Sequence, residues 1–116
     1  MLRPCLLVML ATALSACVTP PKSLYAWGSY EQLIYTSYST PGAGDAQSQV
    51  DTLEKDFQVA RGANQRLPPG WHAHLGYLYF QLGKADQAKQ EFMTEKAEFP
   101  ESAAFMDRLI ARIKKS

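Results

Sequence analysis

Apolar residues in the second half of the chain recur at intervals of three and four, the period of a helix with one buried face. Val50, Leu53, Phe57 and Ala60 share one stripe while Asp51, Glu54, Lys55 and Arg61 turn away, which predicts a helix over 46–62. Trp71, Leu75, Leu78, Tyr79 and Leu82 define the next, over about 71–82, and Gly83 supplies its stop. Ala85, Ala88, Phe92 and Phe99 mark a helix over 85–98, closed by Pro100, which forces Phe99 out of the helical region. A fifth helix starts after Ser102 and carries Phe105, Met106, Leu109, Ile110 and Ile113. Upstream, Ser29-Tyr30-Glu31-Gln32 has the spacing of a capping box, with the Ser29 hydroxyl over the first turn and Gln32 reaching back. It opens a helix from Tyr30 to about Ser39 that Pro41-Gly42-Ala43-Gly44-Asp45 breaks. No stretch alternates with the period of a strand. The expected fold is all-α, about five short helices in an antiparallel array.

The first residues follow a different pattern. Arg3 precedes an apolar run from Cys5 to Leu14, interrupted by Thr12 alone, and small residues follow at Ser15 and Ala16. That is a signal-peptide layout, and the run falls well short of the roughly 20 residues a membrane-spanning helix needs. Leu14-Ser15-Ala16-Cys17 resembles the lipobox of bacterial lipoproteins, in which the thiol receives a diacylglyceryl group and the chain is cut just before it. The resemblance implies a signal peptide over 1–16, then Cys17 carrying diacylglycerol and an N-acyl chain, an anchor strong enough for stable attachment. Val18 in place of Asp after the cysteine implies sorting to the outer membrane by the enterobacterial rule, and the working expectation is a domain that faces the periplasm. Residues 17–28 read as lipidated cysteine and tether, stiffened by Pro20-Pro21. The helical domain is expected over 29–116.

Cleavage after residue 16 of the 116 leaves one small domain with 11 Lys and Arg against 11 Asp and Glu, and no cysteine beyond Cys17. A balanced charge argues against nucleic acid, which demands a concentrated cationic face. The missing thiols leave packing as the expected source of stability.

His72-x2-Leu75-Gly76-x2-Tyr79, Gly83, Ala88-x3-Phe92 and Pro100 resemble the tetratricopeptide repeat, a 34-residue pair of helices whose small residues allow close approach. The clearest repeat spans 69–102. Leu75, Gly76, Tyr79, Ala88, Phe92 and Pro100 take the packing roles of that repeat. His72 stands where the family often has Trp, and Glu95 where a small residue is usual. One repeat cannot bury its own face, so the first two helices are expected to act as a degenerate preceding repeat and the fifth as a cap. The wider chain also resembles an uncharacterised family of small bacterial outer-membrane lipoproteins. The matching segments are Leu24-Tyr25-Ala26-Trp27-Gly28-Ser29-Tyr30-Glu31, Pro68-Pro69-Gly70, His72 to Leu78, Phe99-Pro100-Glu101-Ser102 and Phe105-Met106-Asp107. Such proteins are often encoded beside a lipoprotein resembling the curli secretion channel, which implies an envelope assembly as the setting.

Tyr77 and Phe80, with Gln81, point away from the stripe that packs the third helix on the fourth, toward the side used by repeat arrays as a binding groove. They either grip a partner or pack against Trp27, Tyr30 or Tyr35 to complete a core. Tyr25, Trp27, Tyr30, Tyr35 and Tyr38 form an aromatic cluster behind the tether that serves either as core or as an interface anchor. His72 and His74, two residues apart on a helix, diverge by about 200° and cannot chelate one ion, so no metal is expected; His72 is read as a packing residue and His74 as solvated. Glu91, Glu95, Glu98 and Glu101 read as a solvated charged face. No nucleophile stands in a catalytic setting and no Gly-rich phosphate loop is present, so no catalytic residue and no cofactor is assigned. The expectation is a lipid-anchored protein-binding or assembly module for envelope lipoproteins or a secretion component, with peptidoglycan binding as the alternative.

Overall fold

A computed structural model describes residues 20–42 and 44–115. The expected signal peptide and the expected lipidation at Cys17 lie outside the described residues. Five α-helices follow in chain order: α1 (Tyr30–Ser39), α2 (Ala46–Gly62), α3 (Trp71–Gln81), α4 (Ala85–Glu98) and α5 (Ala103–Lys115), with a 3-10 turn (Pro100–Ser102) before the last. The expected all-α class is observed. Extended pairing among the described residues is limited to an isolated bridge between Tyr25 and Arg66, where the Ala26 N–H donates to the Arg66 carbonyl at 2.8 Å. Tyr25 and Ala26, expected in the tether, are thus docked on the domain.

Local chemistry explains the boundaries. The Asp45 carboxylate accepts the Ser48 N–H at 2.6 Å and starts α2. Helix α3 stops at Gly83, whose φ of +73° is open to glycine at little cost, and the Lys84 N–H folds back onto the Tyr79 carbonyl at 2.9 Å. The chain then reverses into α4, and the two helices run antiparallel in close contact. Gly76 is the reason they can: a Cβ there would lie 2.7 Å from Phe92 Cε1 and 3.1 Å from the Ala88 carbonyl oxygen. Val50 and Leu53 of α2, Trp71, Leu75 and Leu78 of α3, Ala88 and Phe92 of α4 and Met106 of α5 form one buried cluster.

Several details differ from the sequence expectation. Ser29 makes no side-chain cap, and Gln32 donates instead to Thr36 Oγ1 at 3.1 Å. The Ser29 N–H is held by Asp56 Oδ2 of α2 at 2.6 Å, because a carboxylate outcompetes a neutral acceptor when the fold brings one within reach. Phe105 is 57% exposed, since α5 packs on α4 with its other side, through Met106. Ala85, at the first turn of α4, is also exposed.

Substituting Gly76→Ala is expected to cost about 1–3 kcal/mol, the range for overpacking a tight contact. Urea unfolding measures it, and pairing the change with Phe92→Leu should recover part of the loss.

Candidate functional site

The first turn of α3 is held by a buried acid. Glu95 of α4 is 3% exposed; its Oε1 accepts the Gly70 N–H at 2.7 Å and its Oε2 the Ala73 N–H at 3.3 Å. A helix start presents unpaired N–H groups and a partial positive charge, so a carboxylate there satisfies donors and dipole together. The sequence reading placed Glu95 on a solvated face; the structure corrects this. Helix α1 reaches the same point through Tyr30, whose phenol is pushed above its usual range by burial first and by the Glu95 charge second.

Around this anchor the N-terminal aromatics separate into two sets. Tyr25 meets Phe99 edge-on at 6.2 Å, and the Arg66 guanidinium lies over both rings. Trp27 stacks on Tyr30 at 6.4 Å, and Tyr30 meets His74 at 6.2 Å. Tyr25 and Tyr30 are half-buried, whereas Tyr35 and Tyr38 are 68% and 84% exposed, so core packing accounts for only part of the cluster. Tyr30 and Trp27 stand at the start of α3 and do not join Tyr77 and Phe80 in one site.

Tyr77 and Phe80 are 51% and 40% exposed, with Gln81 Nε2 donating to the Tyr77 hydroxyl at 3.2 Å. No ring of Trp27, Tyr30 or Tyr35 stacks on them. Phe80 instead borders a groove of about 420 Å3 between α3 and α5, shared with Tyr77, Phe92, Leu109, Arg112 and Lys115. Its floor is apolar and its α5 end cationic.

On another side of α3 lies a wider cleft of about 810 Å3, walled by α2 and α4 and floored by Trp71, His72, Leu75 and Tyr79. Two hydrogen bonds tie its floor to its walls. The Tyr79 hydroxyl donates to Glu54 Oε1 of α2, and burial together with that bond pushes its phenol far above the usual range. His72 Nδ1 lies 2.6 Å from Glu91 Oε2 of α4, with Glu98 Oε2 3.8 Å from its Nε2. His72 is therefore a packing residue with a polar duty. The sequence missed this cleft, although Asp51 and Glu54 on one helix and Glu91 and Glu98 on another each recur at helical spacing; periodicity cannot say that two acidic stripes face each other.

His74, expected to be solvated, is half-buried beside Tyr30, with its Nε2 3.4 Å from Gln49 Oε1. Among the described residues no group of three His, Cys, Asp or Glu side chains is placed to hold a metal ion, and no helix is long and apolar enough to cross a membrane.

These features define a small helical module built on an α3–α4 hairpin, with open concavities on different sides of α3. Residues 24–109 match the family described as Domain of unknown function (DUF4810), and the chain belongs to that family. No curated protein and no solved structure matches it.

Replacing Glu95→Ala should cost about 1–3 kcal/mol by stranding buried N–H donors, with Glu95→Gln losing less because one acceptor remains; thermal or urea unfolding reads both. Burial holds the His74 imidazole below its usual range. Below about pH 6.5 the unfolded chain therefore binds more protons than the folded one, and stability falls with pH until the folded imidazole also titrates. Unfolding followed from pH 7.5 to 5 should show that decline, and His74→Asn should flatten it.

Proposed function

We propose that this protein is a lipid-anchored module of the bacterial outer membrane, facing the periplasm, that binds a partner protein of the envelope through the groove between α3 and α5. The observation that carries the reading is the exposure of Tyr77 and Phe80 beside Leu109, an apolar surface left open where the N-terminal aromatics had been a rival occupant. Aromatic side chains set in a concavity are the usual anchors of protein interfaces. A tetratricopeptide-like organisation agrees with the Gly76 and Ala88 close approach and the Pro100 stop, and in such an array this side of α3 would be the binding side. The lipobox resemblance around Cys17 supports the anchor. Two lipidated partners on one surface meet at high effective concentration, so a small groove suffices for a functional complex.

Photocrosslinking in living cells tests this. A photoreactive residue at Phe80 should give one discrete adduct and one at Lys89, on the outer side of α4, none; Cys17→Ser, which removes the acylated thiol, should abolish the adduct by keeping the protein from the outer membrane. Equal adducts at both positions, or none at Phe80, would overturn the reading. A protein that instead sediments with purified cell-wall sacculi would favour peptidoglycan binding, for which the exposed Tyr35 and Tyr38 offer stacking surfaces.

A further inference from the structure

The cleft between α2 and α4 lies on a different side of α3 from Tyr77 and Phe80 and stands apart from the groove assigned above. At about 100° per residue, Trp71, His72, Leu75 and Tyr79 fall within roughly one 100° arc of the helix, and Tyr77 and Phe80 fall on the far side.

Its chemistry is one-sided. Asp51 and Glu54 project from α2, Glu91 and Glu98 from α4, and Lys55 is the cation among the lining residues. Glu54 already accepts from Tyr79, and Glu91 pairs with His72. Each ionised carboxylate still has spare acceptor sites, because two oxygens together offer about four. Asp51 and Glu98 are exposed, and Glu98 is the looser of the two carboxylates near His72, at 3.8 Å. Between the acidic walls the floor is apolar, with Leu75, Trp71 and Phe57 contributing.

A second observation points independently to a ligand. Trp71 is 1% exposed and lines this cleft, and its indole Nε1 is the one buried side-chain polar atom among the described residues that has no hydrogen-bond partner. An unmatched buried donor is costly. It calls for an acceptor such as a peptide carbonyl, while the walls call for a cation and the floor for hydrocarbon. An arginine or lysine within a peptide supplies all three: the head group for the carboxylates, the methylene stem for the floor and the adjoining carbonyl for the indole.

We propose that the α2–α3–α4 cleft is a second binding site, one that takes a basic peptide segment of a partner protein, with Asp51 toward the Tyr79 end of the cleft and Glu98 toward the His72 end receiving separate cationic side chains of the segment, and Trp71 Nε1 donating to its backbone. The occupant is fixed by charge: a segment rich in Asp or Glu would be repelled by the walls, and an uncharged one would leave them unmatched.

The test uses the full-length lipidated protein in uncharged detergent micelles at low ionic strength, where surface charge is least screened. Fluorescein-labelled hexa-arginine is the probe and hexa-glutamate the control, with anisotropy giving affinity. Hexa-arginine should bind and hexa-glutamate should not. The pair Asp51→Asn with Glu98→Gln should weaken binding by about fivefold or more, as expected for losing charge-assisted contacts. The pair Glu31→Gln with Glu101→Gln, which removes two exposed carboxylates outside the cleft, should change it less than about twofold. Glu98→Gln alone is read as well, in case the cleft pair disturbs folding. In a Trp27→Phe background, Trp71 is the remaining tryptophan, and its emission should shift when the unlabelled peptide is added. Equal weakening by both pairs would reduce the effect to general electrostatics and overturn the site, as would no binding of hexa-arginine or a Trp71 emission that does not respond.

Discussion

A single carboxylate ties the elements of this fold together. Glu95 leaves α4, crosses to the first turn of α3 and accepts from Gly70 and Ala73, while its charge acts on Tyr30 of α1. Burying an acid is costly unless its acceptors are matched. Here the matching groups are the N–H donors that every helix start leaves open, so two liabilities cancel in one contact. The bond also sets the register of the hairpin. With Glu95 on the start of α3 at one end and Gly76 against Phe92 and Ala88 further along, sliding one helix past the other would break the first contact and close the second.

The same device explains what the sequence disclosed and what it hid. Helix boundaries were legible because their causes are local: Asp45 opens α2, Gly83 stops α3 and Pro100 stops α4, each within a few residues of the end it fixes. The helices expected over about 46–62 and about 85–98 coincide with α2 and α4, and the one expected over about 71–82 ends at Gln81. Long-range partners were not legible. Ser29 looked like a capping residue, yet Asp56, 27 positions away, holds its N–H. Glu95 looked solvated because its neighbours on α4 are, and its substitution for a small residue in the repeat pattern was the one available sign that it does something else. The Tyr77 and Phe80 face was seen, but not that it would stay open while Tyr30 was drawn into the core. The acidic cleft was invisible because its walls come from two helices that are not neighbours in sequence order, brought together over α3.

Helix α3 consequently carries more than its share of the molecule. It is mostly apolar, and six of its residues, Trp71, His72, Leu75, Gly76, Leu78 and Tyr79, are buried. Its neighbours cover it incompletely, and the uncovered strips become concavities, among them one apolar with a cationic end and one acidic with an apolar floor. A helix that is hydrophobic nearly all round belongs in the middle of an array. In a domain with so few helices the middle cannot be sealed, and the openings are where recognition has room to develop.

The two openings differ in how firmly their walls are held, and this bears on what each can recognise. The acidic cleft is braced across α3 by Tyr79 to Glu54 on one side and His72 to Glu91 on the other, so its shape is fixed by hydrogen bonds between separate helices. The Glu54 and Glu91 carboxylates are therefore held in place, and a preorganised charge pattern selects by sign and spacing. The α3–α5 groove is bounded by α5, where Met106 is the one fully buried residue among those described and Leu109, Ile110 and Ile113 are half-covered. A helix held mainly by one side can shift to fit an apolar partner, because nondirectional contacts tolerate such movement where hydrogen bonds do not. The protein thus presents a braced charged face and a less tightly held apolar one on the same central helix, so a change that loosens α5 should spare the shape of the acidic cleft, whose bracing comes from α2 and α4.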